Sequence, residues 1–249
     1  FMSRYTPATA EDRRRMLEYI GVGSIDDLYS GIPAGVRQKD LPDIPKALSE
    51  PEVIRDLREL AGANRNIDDL PCFLGAGIYD HFIPAAVDSI ISRGEFTTCY
   101  TPYQPEVSQG TLQAIFQYQT MVCELTGMEV SNASMYDGAS ATAEAAVLAA
   151  SATKRKKILW GRNVNPQTKE VLRTYCWSRG LEHGEVPAAG GTIDREALDG
   201  ALSAGDAAAL VVQSPSFFGT VEDIKALAEK VHGAGARLIV VTDLLARGT

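Results

Sequence analysis

Two short, wholly apolar runs limit most strongly how this chain can fold. Ala208-Ala209-Leu210-Val211-Val212 and Leu238-Ile239-Val240-Val241 contain no polar position. A strand that is apolar on both sides must be covered on both faces, which is the condition of a buried parallel sheet. Lys157-Ile158-Leu159-Trp160 reads as a further strand and residues 181–186 as a weak one. Between them, helical periodicity and capping residues predict helices over 166–179, from Asp194 to about Leu202, and from Val221 to His232. Strand and helix alternating in this way define an α/β fold. Ligands of such folds sit beyond the carboxyl ends of the strands.

That rule selects the candidate residues. Gln213-Ser214-Pro215-Ser216-Phe217-Phe218-Gly219 follows the first apolar run, and Thr242-Asp243 follows the second. Upstream, the turn Asn132–Asp137 leads into an alanine-rich helix expected from about Ala139 to Ala152. Two readings of its start stay open. It is an ordinary helix capped by Asp137 or Ser140. Alternatively, it is an anion cradle: Gly138 and Ala139 admit close approach to the free N–H groups, and Ser140 and Thr142 add hydroxyls. It is neither a Walker loop nor a dinucleotide fingerprint, because G-K-[ST] and G-x-G-x-x-G are absent from it. Asp243 likewise reads either as a carboxylate at the ligand edge or as a turn and capping residue.

The region before about residue 70 differs in character. Thr9-Ala10-Glu11-Asp12 resembles a capping box, Ser24 caps a short helix, and Pro51 opens another. Residues 32–45 are Pro- and Gly-punctuated loop, and no strand is evident. We expect a helical and loop arm over 1–70 that wraps a larger body or a partner, and the first part of a large α/β domain over 71–249. A helix is expected over 107–126 with Leu112, Ile115, Phe116, Gln119 and Val122 or Cys123 on one face. The loop before it, Tyr100 to Glu106, holds Thr101, two rings (Tyr100, Tyr103), Gln104 and Glu106. It either lines a pocket or is an irregular connection with packed aromatics. A net charge of −8 argues against nucleic acid or membrane surfaces as partners. Cys72, Cys99, Cys123 and Cys176 form no C-x-x-C pair and fit a reducing cytoplasm, and no metal site is expected.

The segments YTPYQPEVSQGTLQAIFQYQTMVCELTGMEVSNASMYDGASATAEA from Tyr100, QSPSFFG from Gln213 and TDLLA from Thr242 resemble the glycine cleavage system P-protein family, glycine dehydrogenase (decarboxylating). IPAGVRQKDLPDIPKALSE from Ile32 is most similar to the N-terminal portion of subunit 1 of its two-subunit bacterial form. The resemblance covers nearly the whole chain. It implies a fold-type I pyridoxal-phosphate architecture with a parallel or mixed sheet between helices. It implies decarboxylation of glycine with pyridoxal phosphate, and transfer of the aminomethyl group to the lipoyl arm of H-protein. It places Gly138, Ala139, Ser140 and Thr142 at the phosphate cradle, Asp243 opposite the ring nitrogen, and the Tyr100–Glu106 loop on the substrate side. All eight lysines precede Asp243, whereas the family's Schiff-base lysine follows it. The resemblance therefore implies that subunit 2 carries the cofactor and that this chain's pocket is vestigial or shared. A non-catalytic scaffold that stabilises subunit 2 and docks H-protein is the alternative.

Overall fold

Each run that the sequence assigns to a strand forms one in the structure, a computed structural model that describes residues 7–38, 44–67, 69–73, 75–99, 101–102 and 104–248. The chain divides into two compact units, residues 1–70 and 71–249.

The first unit is built from capped helices. In α1 (Ala10–Ile20) the Thr9 side chain accepts from Asp12 N–H at 3.1 Å, while the Asp12 carboxylate accepts from Thr9 N–H at 2.8 Å. Gly21, at φ 83°, ends the helix in the left-handed conformation that a side chain disfavours. Ser24 and Asp27 repeat the reciprocal cap on a single 3-10 turn, Ile25–Tyr29, and Ser49 and Glu52 do so on α2 (Glu50–Gly62). Met16, Ile20, Leu57 and Leu60 remain exposed, so local capping specifies these helices more than burial does. No strand occurs among the described residues of this unit.

The second unit starts with two short helices, α3 (Ala86–Ile91) and α4 (Gly94–Thr97), and the long α5 (Pro105–Thr126). Ser108 interrupts α5 with φ −126° and ψ 21°, a kink that the helical pattern did not signal. Leu112, Ile115, Gln119, Val122 and Cys123 are half-buried as a stripe, but Phe116 stands 66% exposed, against expectation. It lies at the stripe's margin, where one helical position turns a side chain outward.

Next come α6 (Gly138–Thr153), β1 (Lys157–Gly161), α7 (Pro166–Arg179), β2 (Glu182–Val186), a hairpin of β3 (Ala188–Ala189) and β4 (Thr192–Ile193), α8 (Arg195–Leu202), β5 (Ala207–Gln213), α9 (Ile224–Gly233) and β6 (Arg237–Val241). Four strands pair in parallel in the order β2-β1-β5-β6. The apolar runs are buried because both faces are covered. Ile158, Trp160, Ala209 and Val211 pack with Ala143 and Ala146 of α6 and Leu172 and Cys176 of α7. The alternating neighbours Leu159, Leu210 and Val212 pack with Leu198 and Leu202 of α8 and Leu227 and Val231 of α9. Leu210, Val211 and Val212 are fully buried, each worth about 1.5–3 kcal/mol of apolar transfer.

Chain order fixes where a ligand edge lies. From β1 the chain moves to β2 on one side and then returns to β5 on the other. The order therefore reverses between β1 and β5, and their carboxyl ends form the topological switch point. Helix α6 leads directly into β1, so it runs against the strands and its N-terminus lies at this same edge.

Candidate functional site

The switch point is filled by the chain's own polar groups. Gln213, the last residue of β5, is buried, and its Oε1 accepts from Asn165 N–H at 2.8 Å in the turn after β1. Asn163 of that turn is fully buried. Its Nδ2 donates to Gly191 O at 3.0 Å and to Glu222 Oε1 at 2.8 Å, and its carbonyl accepts from Phe217 N–H at 2.9 Å. Glu222 Oε1 also accepts from Ile193 N–H at 2.8 Å, and Glu222 N–H donates to Ser214 Oγ. Three segments are thus tied together: the turn after β1, the β3–β4 hairpin and the loop 214–222. Gly190 and Gly191, at φ 60° and 91°, form the hairpin's two-residue turn.

A fourth segment crosses the edge from far upstream. Gly75, Ala76 and Gly77 all have positive φ, and a Cβ at Gly77 would stand 3.1 Å from Gln213 Nε2. Further along, His81 Nε2 lies 2.8 Å from Asp243 Oδ2, with the imidazole as donor to the carboxylate. Asp243 Oδ1 accepts from Leu245 N–H at 2.9 Å, at the start of the 3-10 turn Leu244–Gly248. The Leu245 N–H bond first, and His81 beside it, hold this carboxyl below the usual aspartate range despite some desolvation. Asp243 is therefore at once a capping residue and a carboxylate at the edge. Beside it, Ser214, Glu222, Thr242 and, in the first turn of α9, Lys225 line a cavity of about 710 Å³.

At the start of α6, Asp137 is the N-cap. Its Oδ1 accepts from Ser140 N–H at 2.7 Å, and that bond chiefly lowers its pKa. The Thr142 hydroxyl donates back to Gly138 O at 2.7 Å. The structure brings Gly138, Ala139, Ser140 and Thr142 to the same edge as Asp243. Thr101 and Gln104 line a different cavity, of about 920 Å³, with Cys99 and Ser108. Glu106 sits exposed in the first turn of α5, and Tyr100 and Tyr103 lie outside the described residues.

These groups do not fit pyridoxal phosphate as they stand. A carboxylate occupies the N–H that a phosphate would need, and it repels a second anion. The Thr142 hydroxyl is turned into its own helix, and the carboxylate expected opposite a ring nitrogen is already held by His81. Sequence reasoning found Asp137 and Asp243 but missed His81, Asn163 and Glu222. His81 and Asp243 are 162 positions apart, so no local pattern could link them. The dipeptide Gly190-Gly191 was the available signal for the hairpin.

The family described as "Glycine cleavage system P-protein" matches residues 3–248. The probable glycine dehydrogenase (decarboxylating) subunit 1 of Geobacillus kaustophilus is 51% identical over 247 residues, which is 99% of this chain and 55% of that protein. The corresponding protein of Bacillus subtilis is 50% identical over 245 residues, 98% of this chain and 54% of that one. The chain thus spans about half the length of these curated relatives. Among solved structures, an inhibitor-bound glycine decarboxylase (P-protein) of the glycine cleavage system superposes with a TM-score of 0.83 at 42% identity, over 98% of this chain and 54% of that one. A sphingosine-1-phosphate lyase of Burkholderia pseudomallei gives a TM-score of 0.56 at 14% identity, over 84% of this chain and 51% of that one, a likeness of fold alone. The α/β class with a helix-covered parallel sheet is the one that the sequence led us to expect.

Proposed function

This chain belongs to the glycine cleavage system P-protein family, and from that premise we propose that it is the subunit 1 component of a glycine-decarboxylating enzyme. In the complex, glycine loses its carboxylate and the aminomethyl group passes to lipoylated H-protein. Pyridoxal phosphate supplies the electron sink for that chemistry when bound, and subunit 2 holds it covalently. Residues 1–70 act as an arm and residues 71–249 as the first part of the α/β body. Thr101, Gln104 and Glu106 face the substrate side of the assembled enzyme. Gly138, Ala139, Ser140, Thr142 and Asp243 are a vestigial or shared pocket.

The observation that carries this reading is the occupied edge. Ser140 N–H, the Thr142 hydroxyl and the Asp243 carboxylate all have internal partners. Such groups shape a surface more readily than they grip a new ligand. The test mixes the full-length protein with its partner subunit. We expect a stable complex, glycine–bicarbonate exchange only in the mixture, and cofactor absorbance only when the second subunit is present. An isolated chain that is yellow and bleached by borohydride overturns the assignment. Full exchange activity in Asp243→Asn and Ser140→Ala complexes would select the scaffold role over a shared pocket.

A further inference from the structure

Helix α5 breaks its own geometry at the wall of the cavity of about 920 Å³. Ser108, the residue with non-helical φ and ψ, lines that cavity and is only 7% exposed. Among the described residues its hydroxyl has one partner, the Cys99 thiol at 3.5 Å, and sulfur is a weak donor and a weak acceptor. A buried hydroxyl so poorly matched has hydrogen-bonding capacity to spare. Two residues on, Gly110 also lines the cavity, and a Cβ there would meet no atom within 4 Å. Alanine would fit at this position and would suit the helix better. The glycine instead leaves the helix backbone open to close approach from the cavity.

The lining decides what enters. It holds the amides of Gln104, Gln113 and Gln117 and the hydroxyls of Thr98, Thr101 and Thr111, groups that both donate and accept. Phe96 and Val107 add apolar wall. Among the described residues Glu95 is the only charged one in the lining, and no lysine, arginine or histidine joins it. A phosphate or a carboxylate would therefore meet one like charge and no cation. Hydroxyl groups on a compact carbon frame match the amides and hydroxyls. An ammonium group matches Glu95.

We propose that this cavity binds a small hydroxylated amine. Its ammonium group lies toward Glu95, its hydroxyls meet the glutamine and threonine side chains, and its carbon frame rests on the backbone at Gly110. Ser108 gains a hydroxyl partner in place of a weak thiol contact. The site does not rest on the assignment of Thr101 and Gln104 to the substrate side, because it needs no partner subunit. Its test therefore succeeds or fails apart from that reading.

Cys99 reports occupancy because it lines the cavity, and the exposed Cys72 is the internal control. The test is alkylation of the full-length protein by iodoacetamide, followed at each cysteine by peptide mass spectrometry. The probes are glucosamine, glucose and gluconate, which share a carbon frame and differ in the ammonium and the carboxylate. We expect glucosamine to slow Cys99 saturably, glucose to do so more weakly and gluconate not at all, while Cys72 keeps its rate throughout. Glu95→Gln should weaken glucosamine about two- to fivefold, to the level of glucose. Gly110→Ala should weaken both about tenfold or more, because its methyl group fills the approach, while the thermal midpoint of the free protein holds or rises. Should a variant not fold, the unmodified protein decides alone. Cys99 and Cys72 slowed alike, or neither slowed, refutes the site, and so does protection by gluconate equal to that by glucosamine. A Cys99 that never reacts would mean that the cavity is closed in solution, and refutes it equally.

Discussion

Replacing Gly161 by alanine tests how tightly the switch point is packed. Gly161 ends β1 with no left-handed φ, so its backbone accepts any residue and only the added methyl group matters. The ideal Cβ falls 2.7 Å from Asn163 Oδ1 and 3.1 Å from Ile193 Cδ1 and Cγ1. Asn163 has no room to yield, because its amide and carbonyl hold Gly191, Glu222 and Phe217. Overpacking of this kind costs about 1–3 kcal/mol. If Asn163 swings away, a buried acceptor loses its donor for about another 1–3 kcal/mol. We therefore expect a loss of about 2–6 kcal/mol, read as a lower urea midpoint at constant slope, with the buried Trp160 as the fluorescent reporter. Gly200→Ala is the matched control. It lies within α8 with nothing within 4 Å of its added Cβ, so it should stabilise by about 0.5–1 kcal/mol through helix propensity. A Gly161→Ala protein within about 0.5 kcal/mol of the parent would refute the packing argument.

Leu227, fully buried in α9 with Leu210 and Val212 in the same cluster, should lose about 2–5 kcal/mol on truncation to alanine. Phe218, 67% exposed, should change by less than about 0.5 kcal/mol in the same denaturation assay. Glu185 provides a pH test. Burial works against its carboxylate, yet hydrogen bonds from Arg162 and Lys169 outweigh burial and hold its pKa below the ordinary 4.5. A depressed carboxyl stabilises above its unfolded pKa. That contribution should be complete above about pH 4.5 and fade as pH falls through the lower folded value. Glu185→Gln should flatten this acid limb, and an unchanged slope of stability against pH would contradict the assignment.

The sheet was legible because its signal is local. Ala208–Val212 cannot be half-wet, and burial of every residue of β5 follows from that alone. Helix starts were legible for the same reason: Asp194 accepts from Glu196 N–H and Ala197 N–H, and Thr9 from Asp12 N–H. The edge was harder to read. Asp137 and Asp243 could be named, but whether each was a cap or a ligand group depended on partners that the local sequence does not reveal. His81 reaches Asp243 across 162 positions, and Asn163 meets Glu222 across 59. The hairpin escaped because two-residue strands carry no periodicity, and Phe116 misled because a helical stripe has margins.

The satisfied edge also bears on the role we propose for this chain. A ligand entering at β5 and β6 would have to replace the bond from Asn165 N–H to Gln213, and to displace His81 from Asp243. Surrendering the bond from Asn165 N–H forfeits about 0.5–1.5 kcal/mol net, and the buried Gln213 side chain left unpaired costs about 1–3 kcal/mol. Affinity for a small ligand would start from that deficit. A partner surface pressed against the same edge faces no such loss, because it can leave every internal bond in place. The arithmetic favours contribution by shape, with residues 75–81 and 213–222 offered as a preordered wall.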